Sequence, residues 1–131
     1  MGTGEPVAVE AASARKCILM IDDSAELRAV LKQVLEAEGY EVHLAADGGV
    51  ALSMLGRIPR PRLVLLDLNM PGMNGWQFLA ARRADVELPA IPVVVLTGGE
   101  KLPSWAADVA GIVRKPIDVG SLLELCRKHC A

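Results

Sequence analysis

From Cys17 onward, short apolar runs alternate with amphipathic stretches along the chain. Cys17-Ile18-Leu19-Met20-Ile21 is continuously apolar and of strand length, the pattern of a strand covered on both faces. Leu27, Val30, Leu31, Val34 and Leu35 follow the i, i+3, i+4, i+7, i+8 spacing of a helix laid on a core. Gly39 is placed to stop that helix, because it takes a left-handed conformation without steric cost. Glu41 to Ala45 reads as a second strand, and Asp47 caps a helix carrying Val50, Ala51, Met54 and Leu55. Leu63 to Leu66 is a third buried strand, followed by a Pro/Gly/Asn loop and a helix near Trp76 to Arg83. Pro92 to Leu96 and Gly111 to Val113 supply a fourth and a fifth strand. Asp118 caps a last helix with Val119, Leu122, Leu123 and Cys126 on one face. Strands interleaved with helices in this way predict an α/β fold, a parallel sheet with helices on both faces.

Residues 1–16 are rich in Ala, Gly, Glu and Pro and carry no sustained period, so they read as a flexible tail. That leaves residues 17–131 as one domain. A chain of 131 residues that is 52% hydrophobic buries enough surface to need no metal or disulfide staple. Fourteen Lys+Arg against sixteen Asp+Glu give a formal charge of −2 and no basic stripe, which argues against nucleic acid as the main partner. No apolar run approaches the ~20 residues of a membrane span, and no charged start leads into an apolar core as in a signal peptide. Pro6 stands where a myristoylation signal needs Ser or Thr. Three cysteines, Cys17, Cys126 and Cys130, make an odd count that fits reduced thiols in a cytoplasmic protein.

The polar residues of interest fall at strand ends. Asp22 and Asp23 end the first strand, Asp67 the third, Thr97 the fourth and Lys115 the fifth. In open α/β sheets ligands bind beyond the carboxyl ends of the strands, so these distant residues are predicted to converge at one rim. Three carboxylates held together repel one another and attract a hard divalent cation with oxygen ligands. Mg²⁺ suits the site, because it accepts a few carboxylates together with waters and a phosphate oxygen. A hydroxyl and an ammonium at the same rim suit the oxygens of a phosphoryl group.

Ile21-Asp22-Asp23-Ser24, Leu65-Leu66-Asp67-Leu68-Asn69-Met70-Pro71-Gly72-Met73-Asn74-Gly75, Leu96-Thr97-Gly98 and Lys115-Pro116 together resemble the receiver domain of response regulators in two-component signalling. The resemblance covers residues 17–131, with four motifs in the family's order. It implies a flavodoxin-like, doubly wound five-stranded sheet in the order 2-1-3-4-5. By resemblance, Asp67 is the aspartate that accepts a phosphoryl group from a phosphohistidine. Asp23 is a direct Mg²⁺ ligand, Asp22 an acidic neighbour acting largely through water, and Asn69 lends its backbone carbonyl to the metal. Thr97 and Lys115 match the pair that contacts the phosphoryl oxygens, and the Lys115–Pro116 bond is often cis in the family. The implied partners are a histidine kinase or phosphotransfer protein and an unknown downstream protein. With no effector segment after the last helix, output by protein contact is expected.

The chain departs from the family pattern in the relay. The interval from Thr97 to Lys115 is about four residues short, roughly one helical turn. Pro103 falls inside the segment of the family's fourth helix, which is therefore expected to be shortened or irregular. Ile112 occupies the position of an aromatic switch residue; apolar and β-branched, it suits a buried strand position. These departures support an alternative, a receiver-fold interaction module that does not use phosphorylation. A phosphatase-like hydrolase is disfavoured, because Asn69 stands where a second acid is required.

Other features have plainer readings. Asp23-Ser24-Ala25-Glu26 is also a capping arrangement, strand-end threonines commonly bond their own loop, and a lone lysine is usually solvated. The loop after Asp67 is no calcium loop, since Pro71 and Phe78 stand where ligands belong. Cys126 and Cys130, with His129 between them, lie one turn apart; a partly buried helix face explains them better than a metal site. His43 belongs to the second strand. Trp76 and Trp105 read as packing residues.

Overall fold

A computed structural model describes residues 16–68, 91–98 and 109–130 of the chain. Its elements are β1 (Cys17–Ile21), α1 (Ala25–Ala37), β2 (Glu41–Ala45), α2 (Gly48–Leu55), β3 (Leu63–Asp67), β4 (Val93–Thr97), β5 (Gly111–Arg114) and α3 (Val119–His129). All strand pairs are parallel, in the spatial order β2-β1-β3-β4-β5. The order reverses direction at β1, which places β1 and β3 side by side at the switch point of the sheet.

The three central strands β1, β3 and β4 are buried along their whole length, which is why their sequences are unbroken apolar runs. Alternate residues feed two cores. Ile18, Met20, Leu63, Leu65, Val94 and Leu96 pack with Leu31 and Leu35 of α1 and Leu122 and Cys126 of α3. Leu19, Ile21, Val64, Leu66, Val93 and Val95 pack with Ala51 of α2 on the other face. Each fully buried leucine contributes about 1.5–3 kcal/mol, so the helices are held mainly by this stripe.

Local signals set the helix ends. Ser24 accepts the Leu27 N–H at 3.2 Å and Asp47 accepts the Val50 N–H at 2.8 Å, each satisfying an orphan donor of a first turn. Gly39 takes φ 96°, the left-handed conformation that ends α1. Asp118 occupies the N-cap position of α3, but its carboxylate accepts the Ser121 hydroxyl at 2.6 Å and makes no side-chain cap bond to a backbone N–H.

The outermost residue of each apolar face differs from expectation. Val30, Val50 and Val119 are exposed, because the buried stripe of each helix is narrower than the sequence pattern and they lie at its solvent margin. Ile112 is 44% exposed, contrary to the buried position its side chain suggests. β5 is an edge strand whose Val113 packs toward α3, so the pleat turns Ile112 and Arg114 the other way. The tail through residue 15, Asn69, the helix expected near Trp76 to Arg83, and the 99–108 segment with Pro103 and Trp105 lie outside the described residues.

Candidate functional site

β1 ends in Asp22, which is fully buried, and the turn into α1 begins at once. Its backbone is tied to β2 by a bond from the Asp22 N–H to the Ala45 carbonyl at 3.1 Å. One carboxylate oxygen accepts the Ser24 N–H at 2.8 Å, and the other accepts Lys115 Nζ at 3.0 Å. Asp23, the next residue, is exposed. Asp67 is the last residue of β3, at the neighbouring strand end, and is 4% exposed. Carboxylate oxygens of Asp22, Asp23 and Asp67 all lie within 4.8 Å of one another.

Thr97 closes β4 and is buried; its carbonyl accepts the Lys115 N–H at 2.7 Å. That bond fixes Lys115 just past the end of β5 and brings Nζ to 3.5 Å from Asp67 as well as to Asp22. The Lys115–Pro116 bond is cis. Partial burial works against the Lys115 charge, but the Asp22 hydrogen bond and the Asp22 and Asp67 charges outweigh it and raise its pKa above the ordinary lysine value.

Among the described residues the rim therefore combines three clustered carboxylates with one ammonium, in partly desolvated surroundings. Hard oxygen donors at this spacing suit Mg²⁺, and Lys115 supplies part of the neutralisation by itself. The sequence reading placed Asp22, Asp23, Asp67, Thr97 and Lys115 at one rim, and these five lie at the carboxyl ends of their strands. Asn69 is outside the described residues.

Two features escaped the sequence reading. The Arg28 guanidinium donates to the Asp22 carbonyl at 2.7 Å, bracing the β1–α1 turn from one helical turn inside α1. Its only signal is a cation on the first turns of the helix after the acidic pair. The second is a set of metal-ligating side chains at the other end of β1: Cys17, Glu41 and His43 have donor atoms within 4.8 Å of one another. Cys126 and Cys130 are wholly buried in the α3 core contact, as a packing role requires.

Residues 18–127 match the family described as response regulator receiver domain. The protein PilH of Pseudomonas aeruginosa is 34% identical over 111 residues, covering 82% of this chain and 91% of that protein. The DNA-binding response regulator MtrA of Mycobacterium tuberculosis is 43% identical over 83 residues; the match takes in 63% of this chain but only 35% of MtrA. Among solved structures, a response regulator receiver protein from Pseudomonas putida superposes with a TM-score of 0.80 at 31% identity, covering 88% of this chain and 98% of its own. The chemotaxis protein CheY4 of Vibrio cholerae gives 0.78 at 30% identity, with coverage of 88% and 99%.

Proposed function

The chain belongs to the response regulator receiver family, and on that premise we propose that Asp67 accepts a phosphoryl group from a histidine kinase or phosphotransfer protein. The carrying observation is Asp67 itself: a nearly buried strand-end carboxylate in contact with Lys115 and clustered with Asp22 and Asp23. A carboxylate oxygen of Asp67 attacks phosphorus as the bond to the donor imidazole nitrogen breaks. The electron pair returns to that nitrogen, and the histidine, already protonated at its other ring nitrogen, leaves as neutral imidazole. Asp67 becomes an acyl phosphate.

Asp22, Asp23 and Asp67, with the backbone carbonyl of Asn69, are the groups assigned to hold Mg²⁺, which neutralises charge on the phosphoryl oxygens when bound. Lys115 offers its ammonium to the same oxygens, exchanging its contacts with Asp22 and Asp67 for the incoming group. The Thr97 hydroxyl contacts a phosphoryl oxygen of the product. Asp67 is a stoichiometric acceptor rather than a centre of turnover on foreign substrates, and the signal passes on by protein contact. The reading places the protein in the cytoplasm, where free thiols such as Cys17, Cys126 and Cys130 persist.

Intact mass after incubation with acetyl phosphate and Mg²⁺ tests this. The expected product carries one hydroxylamine-labile phosphoryl group, absent from Asp67→Asn because an amide is a poor nucleophile. No adduct in the native protein would favour the phosphorylation-independent interaction module. Undiminished labelling of Asp67→Asn would move the acceptor elsewhere.

A further inference from the structure

We propose that Cys17, Glu41 and His43 form a second cation site, for a borderline divalent ion of the Zn²⁺ type, at the opposite end of the sheet from the acidic cluster. The parallel register sets Cys17 of β1 beside Glu41 of β2 and Leu19 beside His43. With side chains alternating along each strand, Cys17, Glu41 and His43 share one face. The Cys17 Sγ, a Glu41 carboxylate oxygen and a His43 ring nitrogen lie within 4.8 Å of one another.

A tetrahedral ion bound at ~2.0–2.3 Å from each donor holds its ligands roughly 3–4 Å apart, so closure takes side-chain movements of about an ångström or less. His43 Nε2 and Glu41 Oε2 are already 2.7 Å apart; when the ion bonds Nε2, the proton between them moves to Nδ1 or leaves to solvent. Cys17 is a free thiol donating to the Pro59 carbonyl at 3.6 Å; on binding, that proton leaves to solvent and sulfur bonds the metal. Burial and the Glu41 carboxylate push the thiol up to about 11, and a dication reverses the second of these effects.

The donor set also distinguishes this site from the acidic rim. Thiolate and imidazole favour Zn²⁺, Co²⁺ or Ni²⁺ over Mg²⁺, while three oxygens favour Mg²⁺. Access comes from the edge: β2 is an outer strand, and the His43 and Glu41 side chains are 26% and 25% exposed. Among the described residues three donors meet here, which leaves one position of a tetrahedral ion for water or a further ligand. Without metal the same residues serve as a hydrogen-bonded pair at the sheet edge over a buried thiol, the plainer role they have in any case.

Titration of the full chain with Co²⁺ and then Zn²⁺, in excess Mg²⁺ to occupy the acidic rim, decides the matter. The expected result is one Co²⁺ per chain with a thiolate-to-cobalt charge-transfer band, displaced by Zn²⁺. Cys17→Ser and His43→Ala are expected to weaken Zn²⁺ binding by about 100-fold or more, since loss of a partner merely supporting a ligand already costs ~10–100-fold. His43→Ala alters an edge strand rather than the core, so it remains informative if Cys17→Ser folds poorly. Asp67→Asn and Cys126→Ala should retain the band. Absence of the band, its survival in His43→Ala, or its loss in Asp67→Asn or Cys126→Ala would each overturn the proposal.

Discussion

The two ends of β1 carry opposite kinds of chemistry. At the carboxyl end, Asp22 joins Asp23, Asp67 and Lys115 in a hard, charged rim where the Lys115 ammonium offsets repulsion among the carboxylates. At the amino end, Cys17 meets Glu41 and His43 in a softer cluster whose thiol is protonated and whose imidazole and carboxylate are hydrogen-bonded to each other. One end is built to receive charge, and the other holds its donors neutral or paired until a cation displaces a proton. Both depend on β1 lying between β2 and β3, so a single strand aligns the two clusters.

The contrast is sharpest in the metal response. Mg²⁺ is expected to stabilise the protein by about 2.7 kcal/mol at a hundredfold excess over its dissociation constant. Calorimetry of Asp23→Asn should show a much smaller rise in Tm with Mg²⁺ and an unchanged Zn²⁺ response. The metal-free variant should be as stable as the parent or more so, because one repelling charge is gone. An undiminished Mg²⁺ response would detach Asp23 from the rim site.

Lys115→Ala tests the ammonium as a built-in counter-charge. Removing one partner of a buried ion pair costs about 3–5 kcal/mol, and the 30% exposure of the Lys115 side chain reduces this to roughly 1–3 kcal/mol in metal-free buffer. Chemical denaturation should show that loss, and Mg²⁺ should restore more stability to the variant than it adds to the parent. Equal Mg²⁺ increments in both proteins would mean that Lys115 and the cation do not answer the same charges.

The smallest expected effect lies at alkaline pH and belongs to the thiol core. Burial pushes Cys126 from an ordinary 9.0 up to about 12. The folded thiol thus keeps its proton where the unfolded one loses it. Its contribution is complete below pH 9 and declines as pH rises toward 12. The raised Lys115 has the same sign, with its contribution lost above the ordinary lysine range. Comparing the pH dependence of denaturant midpoints should therefore show a shallower alkaline decline in Cys126→Ala, even though its overall stability is lower. A parallel decline would assign the whole alkaline limb to other groups.

Much of the acidic rim was legible because its residues end strands that the apolar runs already mark. Asp22 follows Ile21, Asp67 follows Leu66, and Thr97 follows Leu96, so strand pattern and chemistry are read together. Lys115 required only one more short strand. The bond from Lys115 to Asp22 was not legible, since nothing in either motif says which carboxylate the ammonium reaches first. Ile112 was misread for a related reason: a β-branched side chain favours strand conformation, but the strand's place at the sheet edge decides how much of it is covered.

Local pattern alone determined the alternation of strands and helices, the caps at Ser24 and Asp47, the stop at Gly39 and the acidic strand ends, because each arises within a few residues of chain. Tertiary structure decided what depends on neighbours far apart in sequence. It matched Cys17 with Glu41 across β1 and β2, turned Ile112 outward and placed Lys115 between two aspartates. A parallel register is settled by how whole strands and their covering helices pack, and no short segment contains that information.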